Sequence, residues 1–262
     1  MMKEVLRIEN IAKRYITEKR QAIDALYNIN LTIEHNDFVC ILGPSGCGKS
    51  TLLRMIAGLE SITAGEIIYR GRKIRKINKD IGMVFQEYSL FPWRTVMENV
   101  TVGLEFAGIN KSERYKIGEK YLELVGLKDY SNNYPYELSG GMQQRVAIAR
   151  SLANDPDLLL MDEPFGALDA HTRILLQKEL LDIWEKNKKT IIFVTHSVDE
   201  AIYLADRIVV MSHGPGTIKD VIKVDMPHPR SRANPRYGQL MAELLDMLDF
   251  KNDSPINCAL AN

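Results

Sequence analysis

The sequence predicts an α/β fold: a mainly parallel sheet, joined by an antiparallel β subdomain and interrupted by an inserted helical subdomain. Three observations point to it. Short, nearly continuous apolar runs recur along the chain: FVCIL (38–42), IGMVF (81–85), DLLLM (157–161), TIIFV (190–194) and RIVVM (207–211). Such runs suit strands covered on both faces, as in a parallel sheet. VLRIENIAKRY and AIDALYNINLTIE, early in the chain, predict antiparallel strands with one polar face. From about 88 to 155 the strand signals give way to helical ones, which marks the insertion.

Within that insertion VMENVTVGLEFAG and SERYKIGEKYLELVGL are helical, and Ile117, Tyr121, Leu124 and Val125 share one face. A longer helix is expected around 170–186, with Leu176, Leu180, Ile183 and Trp184 on one stripe facing the core. Residues 1–225 are thus expected to form one domain. Beyond it, MPHPRSRANPR is rich in proline and arginine and predicts an extended linker. A short helix near 236–248 and a frayed tail to 262 complete the expectation, with linker, dimer brace and regulatory segment all open as roles.

Composition narrows the class. The 262 residues are 45% hydrophobic and 26% charged, ordinary for a globular chain. Lys plus Arg and Asp plus Glu each number 34, so no global charge draws the chain to nucleic acid or anionic lipid. Cys40, Cys47 and Cys258 lack the spacing of a disulfide framework or a zinc site, and a reducing cytosol is expected. The opening MMKEVLRIEN has no signal-peptide core. No stretch reaches the roughly 18 apolar residues that span a bilayer.

GPSGCGKST (43–51) directly follows the first buried strand and matches the pattern G-x-x-x-x-G-K-[ST]. Gly43, Pro44, Ser45, Gly46, Cys47, Gly48, Lys49, Ser50 and Thr51 therefore predict a loop whose backbone N–H groups surround phosphate oxygens. The helix that follows adds its positive N-terminus. Lys49 would reach the β- and γ-phosphates of ATP, and Ser50 would ligate magnesium. LLLMDEPF places Asp162 and Glu163 at a strand's carboxyl end, where open α/β sheets bind ligands. Asp162 suits the magnesium shell and Glu163 the general base for the attacking water. These features predict a P-loop NTPase with a RecA-like sheet.

LSGGMQQR (138–145) resembles the signature motif of ATP-binding-cassette (ABC) ATPases, and the likeness runs from about residue 4 to 225. Gln86 matches the family's glutamine loop, 167–169 its D-loop with Asp169, and His196 its switch histidine. Tyr15 stands where the family stacks an aromatic ring on adenine. Ser139, Gly140 and Gly141 open a second helix and so offer a second anion-binding terminus. The resemblance implies that two copies pair head to tail when ATP is bound, each signature closing over the other's nucleotide. Gln86 is then expected to touch both magnesium and the attacking water.

Ser197 and Glu200 read as a capping box that starts a helix just after His196 and aims the imidazole at the phosphate site. His35, His171, His213 and His228 are expected at the surface. Six basic residues in RGRKIRKINK (70–79) suggest a solvated hairpin, with a nucleic-acid patch as the alternative in a soluble regulatory ATPase. No aromatic residue interleaves with that cluster to stack on bases. Phe91, Pro92 and Trp93 predict an exposed apolar docking surface. In transporter cassettes of the family this groove receives a helix from the membrane permease. FQEYSLFPWRTVMENV, DEPFGALDAHTR and VDMPHPR are similar to importer cassettes of the nitrate/sulfonate/taurine group. That resemblance implies an uptake system with an external substrate-binding protein, this chain sitting peripherally on the cytoplasmic face of the membrane.

Overall fold

The computed structural model describes residues 4–166, 168–187 and 189–248, without the side chain of 187. Cys258, the tail after 248 and Ala167 of the 167–169 segment lie outside the described residues.

A four-stranded antiparallel sheet has the order β2-β1-β4-β5, from β1 (Glu4–Ile16), β2 (Ala22–Glu34), β4 (Ala64–Tyr69) and β5 (Arg72–Lys73). The second sheet has six strands: β3 (Phe38–Leu42), β6 (Ile81–Val84), β7 (Leu158–Asp162), β8 (Thr190–Thr195), β9 (Arg207–Met211) and β10 (Ile218–Lys223). Its order is β10-β9-β3-β8-β7-β6, parallel throughout except for the antiparallel edge strand β10.

The continuous apolar runs now have their physical reason. In β3, Phe38, Cys40 and Leu42 face one buried cluster while Val39 and Ile41 face another. β8 divides the same way, Ile191 and Phe193 against Ile192 and Val194. Successive side chains point to opposite faces of a strand, and here both faces are covered. Burying each such side chain contributes about 1.5–3 kcal/mol. One face carries α1 (Lys49–Ile56) and the antiparallel sheet. The other carries α4 (Gly140–Ala153), α5 (Ala170–Asn187), α6 (Val198–Leu204) and α7 (Pro235–Leu248).

Between β6 and β7 the chain leaves the sheet for α2 (Val96–Phe106), α3 (Lys111–Leu124) and α4, which pack on one another. α2 begins with a complete capping box: Glu98 N–H donates to the Thr95 hydroxyl at 3.2 Å, and Thr95 N–H to the Glu98 carboxylate at 2.9 Å. Leu176, Leu180, Ile183 and Trp184 of α5 are all buried, as their stripe predicts.

Two sequence expectations need correcting. The segment 226–234 is no free linker, because the Arg230 side chain is buried and donates to the carbonyls of Met226, Ile202 and Ala205. α7 then buries Tyr237, Leu240 and Leu244 in the main core. His228 is not a surface residue. Its ring lies edge-on to Trp184 at 5.4 Å, with Nε2 3.2 Å from the Leu204 carbonyl oxygen. The basic cluster 70–79 starts as the expected solvated hairpin, with β5 antiparallel to β4 and exposed, and the stretch after it is irregular.

Candidate functional site

The carboxyl ends of β3, β6, β7 and β8 lie on one edge of the parallel sheet, and most of the expected site residues follow them. The loop 43–48 leaves β3 and turns into α1 through Gly48, whose φ of +94° suits glycine alone. A Cβ there would also lie 2.6 Å from Leu26 Cδ2.

Lys49 is only 4% exposed, and Nζ donates to the carbonyls of Gly43 and Pro44 at 2.8 Å each. The Glu163 carboxylate is 3.8 Å away. A buried ammonium with one distant carboxylate has capacity for a further anion. Gly46, at φ +80°, has nothing within 4 Å of a built Cβ, so the loop is open on that side. This arrangement fits a polyphosphate.

Ser50 donates its hydroxyl to the Asp162 carboxylate at 2.7 Å. Burial pushes the Asp162 carboxyl above its ordinary value, against the lowering effect of that hydrogen bond. Such a carboxylate gains from a nearby cation. Ser50 and Asp162 are hard oxygen donors of the kind magnesium takes together with phosphate and water. Among the described residues no group of three or more His, Cys, Asp or Glu could hold a metal. The Ser50–Asp162 pair fits an ion that a nucleotide's phosphates also hold.

Glu163 adopts φ +42°, a left-handed conformation uncommon for a residue with a side chain. Its N–H donates to the Val194 carbonyl at 3.0 Å, which ties the end of β7 to β8. Its carboxylate lies 3.0 Å from His196 Nδ1. Lys49, Ser50, Asp162, Glu163 and His196 thus form one continuous cluster.

The expected capping box at His196 is only half present. Glu200 N–H donates to the Ser197 hydroxyl at 3.4 Å, but the Glu200 carboxylate turns inward to accept from the Thr195 hydroxyl at 2.6 Å. Ser197 N–H donates to Thr195 Oγ1 instead. The Arg173 guanidinium, 3.7 Å from Glu200, helps draw the carboxylate away.

Other expected residues sit outside this cluster. Gln86 follows β6 and is exposed, with no hydrogen bond to Ser50 or Asp162. Tyr15 is 38% exposed near the end of β1, with the Lys13 ammonium 4.7 Å from its ring centroid. Thr51 lies within α1. Ser139 caps α4 by accepting from Met142 N–H, in the other subdomain. A Cβ on Gly140 would lie 3.0 Å from Tyr88 Oη, and one on Gly141 2.7 Å from Thr172 Cγ2. Gly141 therefore lets α4 approach the start of α5, and Gly140 lets it approach Tyr88. Asp169 caps α5, accepting from the N–H groups of His171 and Thr172, and these bonds hold its carboxyl below its ordinary value.

Trp93 is 71% exposed, and its ring lies 5.6 Å from Phe91. Two residues that the sequence reasoning passes over hold this loop in shape. Asn99, fully buried in α2, donates to the carbonyls of Phe91, Arg94 and Thr95 and accepts from Phe91 N–H. Arg150 of α4 donates to the carbonyls of Tyr88 and Ser89. The available signal is a polar side chain inside an otherwise apolar helix face. In the basic cluster, Arg70 pairs with Asp157 and Lys73 with Glu66.

A parallel sheet with a phosphate loop, a carboxylate pair and a histidine along one edge defines a P-loop nucleoside triphosphatase. Comparison with known proteins narrows this: the ABC transporter family matches residues 26–166. The chain is 53% identical over 247 residues to an uncharacterized ABC transporter ATP-binding protein of Methanocaldococcus jannaschii, covering 94% of this chain and 92% of that one. It is 48% identical over 241 residues to the aliphatic sulfonates import ATP-binding protein SsuB of Bacillus cereus, covering 92% and 95%. Among solved structures, the ATP-binding cassette MJ0796, dimeric and bound to ADP and Pi, superposes with a TM-score of 0.75 at 36% identity. That match covers 85% of this chain and all of the other. CbiO1 of Clostridium perfringens, part of the ABC transporter complex cbiONQ, superposes with the same score at 28% identity over 85% of this chain and 89% of that one. The chain belongs to the ABC transporter family and is its ATP-binding, ATP-hydrolysing subunit.

Proposed function

We propose that this chain drives an importer of a small anion of the sulfonate type, two copies closing head to tail over two Mg-ATP. The observation that carries the head-to-tail reading is the split of the anion-binding elements. The phosphate loop, Asp162, Glu163 and His196 cluster at the edge of the parallel sheet, whereas the Ser139–Gly141 helix start stands on the helical subdomain. A second copy supplies the missing terminus, and the dimeric MJ0796 cassette supports this arrangement. The cargo class rests on the sulfonate-importing Bacillus relatives.

In this reading Lys49 and the loop 43–51 hold the β- and γ-phosphates, and Tyr15 stacks on adenine. Ser50, Asp162 and Gln86 hold magnesium, which supplies charge neutralisation on the phosphate oxygens when bound. Glu163 takes the proton of the attacking water, while His196, 3.0 Å from Glu163, stands beside it to contact the γ-phosphate. Asp169, in the D-loop, belongs to the nucleotide-binding set. Phe91, Pro92 and Trp93 receive the permease, which holds the subunit on the cytoplasmic face, and an external binding protein delivers the cargo. No helix among the described residues is long and apolar enough to cross a membrane.

Glu163→Gln should reduce hydrolysis about 10²–10⁴-fold, as loss of a general base does. It should also accumulate as a dimer in saturating Mg-ATP. A monomeric mass by light scattering under those conditions contradicts the head-to-tail reading.

A further inference from the structure

The C-terminal strap, residues 226–248, grips the helix that follows His196. α6 is only seven residues long, and so short a helix depends on tertiary contacts for its placement. Both of its ends are held by the strap. At the C-terminal end, buried Arg230 donates to the carbonyls of Ile202 and Ala205 at 2.6 Å each. At the first turn, Arg232 forms a two-point pair with Asp199, Nε to Oδ1 at 2.8 Å and Nη2 to Oδ2 at 2.7 Å.

The same Arg232 donates from Nη2 to Gln177 Oε1 of α5 at 2.8 Å, and its guanidinium lies 4.3 Å from the Tyr203 ring centroid. Tyr237 of α7 donates to the Asp199 carboxylate at 2.7 Å. Burial disfavours the Asp199 charge, but the bonds from Arg232 and Tyr237 outweigh it and hold the carboxyl below its ordinary value. The next residue, Glu200, accepts from Thr195, immediately before His196, and lies against Arg173. Arg173 in turn donates to the Leu168 carbonyl, beside Asp169.

We propose that Arg232 is a positioning residue for ATP hydrolysis: by locking the first turn of α6 to α5 through Asp199 and Gln177, it sets His196 against Glu163. Planarity matters, because one guanidinium serves Asp199 from two nitrogens while reaching Gln177 and covering Tyr203. The strap is then part of the ATPase rather than an appendage. This rests on the assignment of His196 to the site.

The test is steady-state hydrolysis by the full chain and its variants Arg232→Ala, Arg232→Lys, His196→Ala and the Arg232→Ala/His196→Ala double. Arg232→Ala is expected to lower kcat roughly tenfold or more, as a small misplacement of a reacting group does, with KM for ATP nearly unchanged. Arg232→Lys should recover part of the loss. In the His196→Ala background, Arg232→Ala should add nothing, because both act through one imidazole. A wild-type kcat for folded Arg232→Ala, or losses that multiply in the double variant, overturns the proposal. So does a loss in Arg232→Lys that tracks a lowered melting temperature alone. A fast His196→Ala instead removes the assignment of His196, whereas a slow His196→Ala beside a fast Arg232→Ala removes only the strap's role.

Discussion

Lys49 occupies a place that few lysines tolerate, buried and hydrogen-bonded to two carbonyls of its own loop. What keeps it there is the shape of the loop, and that shape depends on glycine at two positions with different demands. Gly48 combines a left-handed φ of +94° with no room for a Cβ against Leu26 and the Ala25 carbonyl. Gly46 has the same need for positive φ but open space around it. Gly46→Ala is therefore expected to lose only the backbone contribution, about 1 kcal/mol, whereas Gly48→Ala adds a steric clash and loses more. Thermal unfolding of the two variants checks this, and equal melting temperatures would contradict it. Glu163, by contrast, keeps a side chain at φ +42°, a conformation that costs of order 1–3 kcal/mol and persists because the Val194 carbonyl pins its N–H.

Among the helices, the locally specified ones differ from those held by distant partners. α2 carries its own start signal, Thr95 and Glu98, and its boundaries follow from contiguous residues. α6 carries a similar pattern at Ser197 and Glu200, yet Glu200 answers to Thr195 and Arg173. Asp199 gives a measurable handle on this packing. Its carboxyl lies below the ordinary value of about 3.9, so its pairing stabilises the fold above that pH and the contribution disappears as pH falls through the depressed folded value. The deficit in melting temperature of Asp199→Asn is accordingly expected to be largest near neutrality and to shrink below about pH 4. A deficit constant from pH 7 to 3 would show that charge is not what Asp199 contributes. The pair is partly exposed, so the effect should also weaken in high salt.

Taken whole, the molecule joins two halves with different duties. In the proposed function the sheet edge holds the nucleotide chemistry, and the helical subdomain carries both the signature helix and the Phe91–Trp93 loop. Arg150 physically connects them, reaching from the signature helix to the backbone just after Gln86. Asn99 stiffens the same loop from α2, so that in the proposed function half-buried Phe91 holds exposed Trp93 ready for the permease. Trp93→Ala should weaken permease association by roughly 2 kcal/mol or more, as loss of an aromatic anchor does. ATP hydrolysis by the isolated subunit should persist. Undiminished co-purification with the membrane subunits and undiminished transport would remove Trp93 from the docking surface.

Much of this protein is written in contiguous residues. The phosphate loop needs glycines and a lysine at fixed spacing, and a buried strand needs an unbroken apolar run. Helix starts announce themselves by caps. Such features depend on local backbone preference and side-chain periodicity, which no later part of the chain has to complete. The parallel sheet, the inserted helices, and Lys49, Asp162, Glu163 and His196 as candidates are all legible on those terms. What remained for the folded chain to decide were partnerships between residues far apart in sequence. Arg232 meets Gln177 and Asp199, 55 and 33 residues away, and Arg150 meets Tyr88 and Ser89, 62 and 61 residues away. Arginine in a proline-rich stretch looks solvated until the chain returns and places a carboxylate and a ring against it. A charged side chain takes its role from whatever surrounds it after folding, and no local pattern encodes that.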